Sequence, residues 1–96
     1  MRDAAEDIHD FEKEIDAYYK AGMTLKKTQN YEKALLVFKR MLQVAWNNNH
    51  QSAEIQAYSM IGRMYYYLGN THKAAYYNNR SLNGLTEIPD SKQKLF

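Results

Sequence analysis

The chain has 96 residues, 45% of them hydrophobic, no cysteine, and a net charge of +2 from 13 Lys and Arg against 11 Asp and Glu. That length holds one domain with a core, and so small a charge excess gives no electrostatic case for nucleic acid or a membrane surface. Without cysteine there is no disulfide framework, thiolate metal site or cysteine nucleophile; with no signal-peptide core and no run of about 18 apolar residues, the chain reads as soluble and cytoplasmic.

One proline, Pro89, and four glycines leave helix breakers scarce. From Asp3 to Thr28 only Gly22 interrupts a helix, at a cost of about 1 kcal/mol against alanine. Ile8, Phe11, Ile15, Tyr18, Tyr19 and Leu25 keep spacings that predict one long first helix with a single buried face. Its acidic start, through Asp16, suits the positive end of the backbone dipole. Gln29-Asn30 predicts a short turn, with Asn30 capping a second helix from Tyr31 to Trp46. Leu35, Phe38, Met41, Leu42 and Ala45 fall on one side of that helix. Asn47 to His50 is a polar break. A third helix is predicted over Ser52 to Leu68, with Gly69 just beyond it where a left-handed residue is favoured. Asn70 or Thr71 caps a fourth, ending near Leu85. Pro89 is expected to stop that path, and Asp90-Ser91 to cap a further helix from Lys92.

An internal repeat organises these elements. Gly22 recurs as Gly62 and Ala34 as Ala74, at an offset of 40 in both cases (62 − 22 and 74 − 34). Glu14/Glu54, Ile15/Ile55, Ala17/Ala57, Tyr18/Tyr58, Asn30/Asn70, Lys33/Lys73, Arg40/Arg80 and Leu42/Leu82 are identical at the same offset. Periods of about 20 to 50 residues mark stacked units that bury apolar faces against one another and present extended surfaces. Unit one is placed at 3–48 with an extended first helix, unit two at 51–86, and 90–96 as the start of a third unit or a capping helix. Adding 40 to Ile55 reaches Leu95, so the chain is expected to run out as a third unit begins. A glycine in mid-helix calls for a packing reason, and the small residues Ala34 and Ala74 are expected to face Gly22 and Gly62.

Tyr18, Ala21-Gly22, Leu25, Tyr31, Ala34 and Phe38 resemble the tetratricopeptide repeat. So do Tyr58, Ile61-Gly62, Tyr65 and Ala74, and Tyr65-Tyr66-Tyr67-Leu68-Gly69-Asn70 is similar to that family's central turn. The offset departs from the family's usual spacing of about 34, resembling its long-unit variant in cytoskeletal adaptors. Met41 stands in place of an alanine in unit one, and Asn78 and Ser81 replace an aromatic and an alanine in unit two. The resemblance implies an all-α, right-handed helical repeat of four main helices, with no cofactor and no catalytic role. Its function would be protein–protein interaction, as a scaffold or adaptor with a cytoskeletal association.

In that resemblance the first helix of each unit lines a concave groove. Mapped onto this sequence, the groove carries Asp16, Tyr19, Lys20, Met23, Lys26 and Lys27, then Gln56, Ser59, Met60, Arg63, Tyr66 and Tyr67. Tyr19, Met23, Lys27, Arg63, Tyr66 and Tyr67 form the candidate peptide site. Rings give contact area at low entropic cost, methionine adapts its shape, and Arg pairs with carboxylates. An acidic or aromatic-bearing peptide or partner helix would suit that set. Packing of Tyr66 and Tyr67 against a neighbouring helix is the competing reading. Met23 and Met60 occupy the positions where the family's carboxylate clamp has asparagine, so binding of a terminal carboxylate is not expected. The structural alternative is self-association into a homo-oligomer; RNA binding through tyrosines and cations ranks below both. His9, His50 and His72 form no metal pair, Glu12, Glu14 and Asp16 read as a solvated face, and no phosphate loop or nucleophile motif is present.

Overall fold

The computed structural model describes residues 10–94, with side chains through Gly84. They form four helices: α1 (Phe11–Lys27), α2 (Tyr31–Asn47), α3 (Gln51–Tyr67) and α4 (Thr71–Lys94). The starts, at residues 11, 31, 51 and 71, are evenly spaced. Each of the first three helices has 17 residues and is followed by a turn of three, so the offset of 40 is two equal helix-plus-turn steps.

All three turns share one construction. The second residue of each, Gln29, Asn49 or Gly69, has positive φ, at 64°, 54° and 84°. The following amide donates to the carbonyl five residues back: Asn30 to Leu25 at 2.8 Å, His50 to Ala45 at 2.9 Å and Asn70 to Tyr65 at 2.9 Å. The left-handed residue donates in turn to the carbonyl three back, on Lys26, Trp46 or Tyr66. This paired bonding satisfies the last carbonyls of a helix and reverses the chain within three residues. Tyr31, opening α2, therefore stacks on Tyr67, closing α3, at 4.8 Å between ring centroids.

Helix starts are capped differently. Asp10 accepts from the Lys13 amide at 3.2 Å, the His50 ring from Ala53 at 3.3 Å and Asn70 from Lys73 at 3.1 Å. Asn30 makes no such cap; its side-chain amide donates to the Thr28 hydroxyl instead. The cap at Asp10 also corrects the expected helix from Asp3. Its backbone, at φ −81° and ψ 78°, is outside the helix, so α1 begins at Phe11; residues 3–9 lie outside the described residues. The offset of 40 thus reflects equal helices and not a long first one. At the other end α4 continues through Pro89, where a stop and a fresh helix at Asp90-Ser91 were expected. Proline gives up one backbone bond, at a cost of about 3 kcal/mol or more, yet its fixed φ is itself helical. Leu95 lies outside the described residues.

Each helix packs chiefly against its neighbours in the chain. Phe38, Met41, Ile61 and Met64 are the largest fully buried side chains, each worth about 1.5–3 kcal/mol on burial. Ala34 and Ala74 are buried as expected, but they are not the surfaces the two glycines chiefly meet. A methyl group at Gly22 would sit 2.5 Å from ring carbons of Phe38; at Gly62 it would meet the Asn78 side-chain oxygen at 2.5 Å and the Ala74 carbonyl at 3.2 Å. Phe38 and Asn78 are themselves separated by 40 residues, so the contact repeats while its chemistry changes. Unit two also replaces Met41 by Ser81, which is 7% exposed and donates to the Ile55 carbonyl at 3.0 Å.

Two expectations follow. Gln29→Gly relieves a left-handed side chain and should stabilise the fold by about 1 kcal/mol, whereas Gly69→Ala should cost a similar amount. Urea titration followed by circular dichroism reads both, and equal midpoints for all three proteins would refute the turn assignment. Gly22→Ala presses on a fully buried ring and should cost about 1–3 kcal/mol. Gly62→Ala should be close to neutral, since the Asn78 amide can swing outward and the gain in helix propensity is about 1 kcal/mol. Equal melting-temperature losses would contradict that asymmetry.

Candidate functional site

The six candidate residues lie on the first helices of the two units. Tyr19, Met23 and Lys27 follow one another at four-residue steps on α1, a single helical face. Arg63, Tyr66 and Tyr67 occupy the last two turns of α3. Met23 and Arg63 are equivalents at the 40-residue offset, as are Lys27 and Tyr67.

The structure divides this set. Tyr19 lines a shallow hollow of about 280 Å³ between α1 and the start of α3, with Glu12, Ile15, Asp16, His50 and Gln56 also at its edge. Met23 is half-buried against the core. Lys27 and Arg63 are exposed, and neither has an ion pair or hydrogen bond from its side chain among the described residues. Tyr66 is 64% exposed. Tyr67 stacks on Tyr31 and meets the Tyr66 ring edge-on at 5.9 Å, so part of its surface serves the junction between units. Met60, assigned to the groove from sequence, is only 6% exposed and belongs to the core. Among the other groove positions, Lys20 is tied to Asp16 at 3.1 Å, one helical turn away. The α1–α3 face is thus polarised. Carboxylates gather near the start of α1, while Lys26, Lys27 and Arg63 stand toward the ends of the two helices.

A second group of aromatic and cationic residues joins the second helices of the units to Tyr58 and Tyr65 on α3. Tyr77 stacks on Tyr65 at 5.5 Å with an interplanar angle of 16°. The Lys39 and Lys73 ammonium groups both lie 5.4 Å from the centre of the Tyr65 ring. Arg80 donates to the Tyr58 hydroxyl at 3.1 Å, with its guanidinium 5.1 Å from that ring and 6.0 Å from Tyr76. The aromatic of unit two is therefore Tyr77, one position before the expected site at Asn78. The identity of Lys33/Lys73 and Arg40/Arg80 was the available sequence signal for Lys73 and Arg80; Lys39, whose equivalent is Asn79, had none. Trp46, read from sequence only as a helix end, is 56% exposed over a hollow of about 250 Å³ lined by Glu54, Tyr58 and Arg80.

Burial pushes the Glu54 carboxyl above its ordinary value of 4.5, and Arg80 and then His50 pull it partly back. No group of His, Asp and Glu suited to holding a metal ion occurs among the described residues. No described helix is long and apolar enough to cross a membrane.

Equal helices, one turn type repeated three times and an interface repeated between units define a tandem helix-turn-helix repeat protein. The family model of the tetratricopeptide repeat matches residues 13–87, and the chain belongs to that family. No curated protein and no solved structure gives a match.

The raised folded-state value at Glu54 has a defined pH signature. A carboxyl that is harder to ionise in the folded state contributes stability below its unfolded value, lost as pH rises through its folded value. Glu54→Gln should therefore be more stable than the parent at pH 7, with the difference closing as pH falls through the raised folded value toward 4.5. Thermal melts across that range check the sign; a gap that widens on acidification would mean that the attraction to Arg80 outweighs burial.

Proposed function

We propose that this chain is a non-catalytic protein-binding module that docks a peptide or partner helix along the α1–α3 face, within a cytoplasmic scaffold or adaptor. Tetratricopeptide repeats generally mediate protein–protein interactions. The observation that carries the finer reading is the pair Arg63 and Tyr66, three residues apart on α3 and both exposed. Side chains at that spacing share a helical face. Tyr66 offers a ring 64% open to solvent, and Arg63 a guanidinium without an internal ion pair among the described residues. Met23 and Lys27 extend the same chemistry onto α1. Apolar area anchors the ligand, while Lys27 and Arg63 orient an acidic side chain and select against basic partners.

A displayed library of random peptides, panned against the immobilised chain, tests this reading. Selected sequences should be enriched in Asp or Glu beside Phe, Tyr or Trp. Arg63→Glu combined with Tyr66→Ala should weaken a selected peptide at least about tenfold, equivalent to roughly 1.4 kcal/mol, with helicity unchanged. Undiminished affinity in that variant would place the binding surface elsewhere.

A further inference from the structure

The net charge of +2 conceals a division that only the fold makes. Among the described residues, α1 and α3 with the cap Asp10 hold five acids and five cations. The second helices, α2 and α4, hold Lys33, Lys39, Arg40, Lys73 and Arg80 against Glu32. Exposed apolar side chains divide in the same way. Tyr66, Tyr67 and Leu68 lie at the end of α3, whereas Leu36, Trp46, Tyr76 and Leu82 stand on α2 and α4, each 55–65% exposed.

Two chain reversals separate α2 from α4, so these helices run in the same direction. On α2, Lys33, Leu36, Arg40 and Gln43 are exposed at steps of three and four, which is one helical face. Their equivalents at the 40-residue offset, Lys73, Tyr76, Arg80 and Asn83, are exposed on α4. Cation, apolar group, cation and amide are thus written twice on a surface where core packing does not require them. The two helices border each other across a hollow of about 390 Å³ lined by Lys39, Leu42, Gln43, Trp46 and Tyr77. The ion pairs among the described residues, Lys13 with Asp10 and Lys20 with Asp16, both belong to α1. Lys39 and Lys73 have no carboxylate there and share the Tyr65 ring instead, each 5.4 Å from its centre.

We propose that the α2–α4 face docks on an anionic lipid surface, with both helices lying flat in the headgroup layer. The two crests are side by side, so a plane meets Leu36 and Tyr76 together. A single partner helix would fill only the hollow between them. Leucine offers nothing to the phosphates or bases of a nucleic acid. A headgroup layer supplies anions for lysine and arginine and, just beneath, apolar depth for Leu36, Trp46 and Tyr76. Tryptophan and tyrosine suit that boundary because each joins a ring to a polar tip. Long cationic side chains reach past such apolar neighbours to the charge. The contact is with the surface alone, since no described helix is long and apolar enough to cross a membrane.

Trp46 is the chain's one tryptophan, so its emission reads this face directly. Vesicles of phosphatidylcholine with about one-third phosphatidylserine should pellet the full chain and shift Trp46 emission to the blue. Pure phosphatidylcholine should do neither, and added salt should weaken the binding. Lys33→Glu combined with Arg40→Glu should lower the partition coefficient at least about tenfold, with circular dichroism unchanged. Lys13→Glu combined with Lys20→Glu, the same charge change on α1, should alter it less than about threefold. Leu36→Asn should weaken binding without any change of charge. No pelleting, equal loss in the two double variants, or an unshifted Trp46 would overturn the proposal. So would a blue shift produced by a poly-glutamate peptide or a single-stranded RNA without vesicle binding, since a macromolecule in solution would then be the occupant.

Discussion

A single left-handed residue in each turn governs this architecture. Gln29, Asn49 and Gly69 each place one amide over the carbonyl five residues back, ending a helix and reversing the chain in three residues. Because the device is identical within a unit and between units, every helix has the same reach, about 25 Å over 17 residues. Faces then return to register every 40 residues, and equivalent side chains meet equivalent neighbours. A turn one residue longer would rotate the next helix by about 100° and carry its apolar stripe off the core.

The two units occupy that common frame with different chemistry. Unit one closes over Phe38 against Gly22, a contact of ring area with backbone that favours burial outright. Unit two sets Asn78 against Gly62, buries Ser81 by bonding it to the Ile55 carbonyl, and gathers its rings around Tyr77. Cations on Tyr65 and Tyr58 add about 0.5–1 kcal/mol each at exposed sites, more where water is excluded. Such contacts offset only part of the apolar burial that Asn78 and Ser81 forgo. Within unit two the buried apolar residues are therefore concentrated on α3, from Ala53 to Tyr65, while α4 offers a more polar, cation-bearing outer surface.

Surface roles follow from this division. The α1–α3 face pairs open rings with free cations near the helix ends and carboxylates near the start of α1, a polarity that would give the proposed peptide a direction. Where α2 crosses unit two, Trp46 lies over Tyr58 and Arg80, and the matching face of unit one has the same aromatic, cation and amide without a tryptophan above them. Tyr67 is partly committed to packing, since its stack on Tyr31 uses a ring that sequence alone left open for a ligand.

The sequence by itself determined the repeat, the helix centres, the buried face of each helix and the family. Identity at a fixed offset and 3.6-residue periodicity are written in residue types and need no coordinates. Gly69 was legible as a left-handed turn for the same reason, because glycine alone enters that region without a steric cost. Gln29 and Asn49 were not, since their conformation is imposed by the packing of the helices on either side. The expected continuity of the first helix through Asp10 failed because apolar spacing continues across that residue, and only the backbone there shows the cap. Which tyrosines are free, that Phe38 rather than Ala34 fills the space at Gly22, and that Met60 is core rather than groove were decided by tertiary structure. Those outcomes depend on the angle and distance at which one helix meets another, quantities set by several side chains at once.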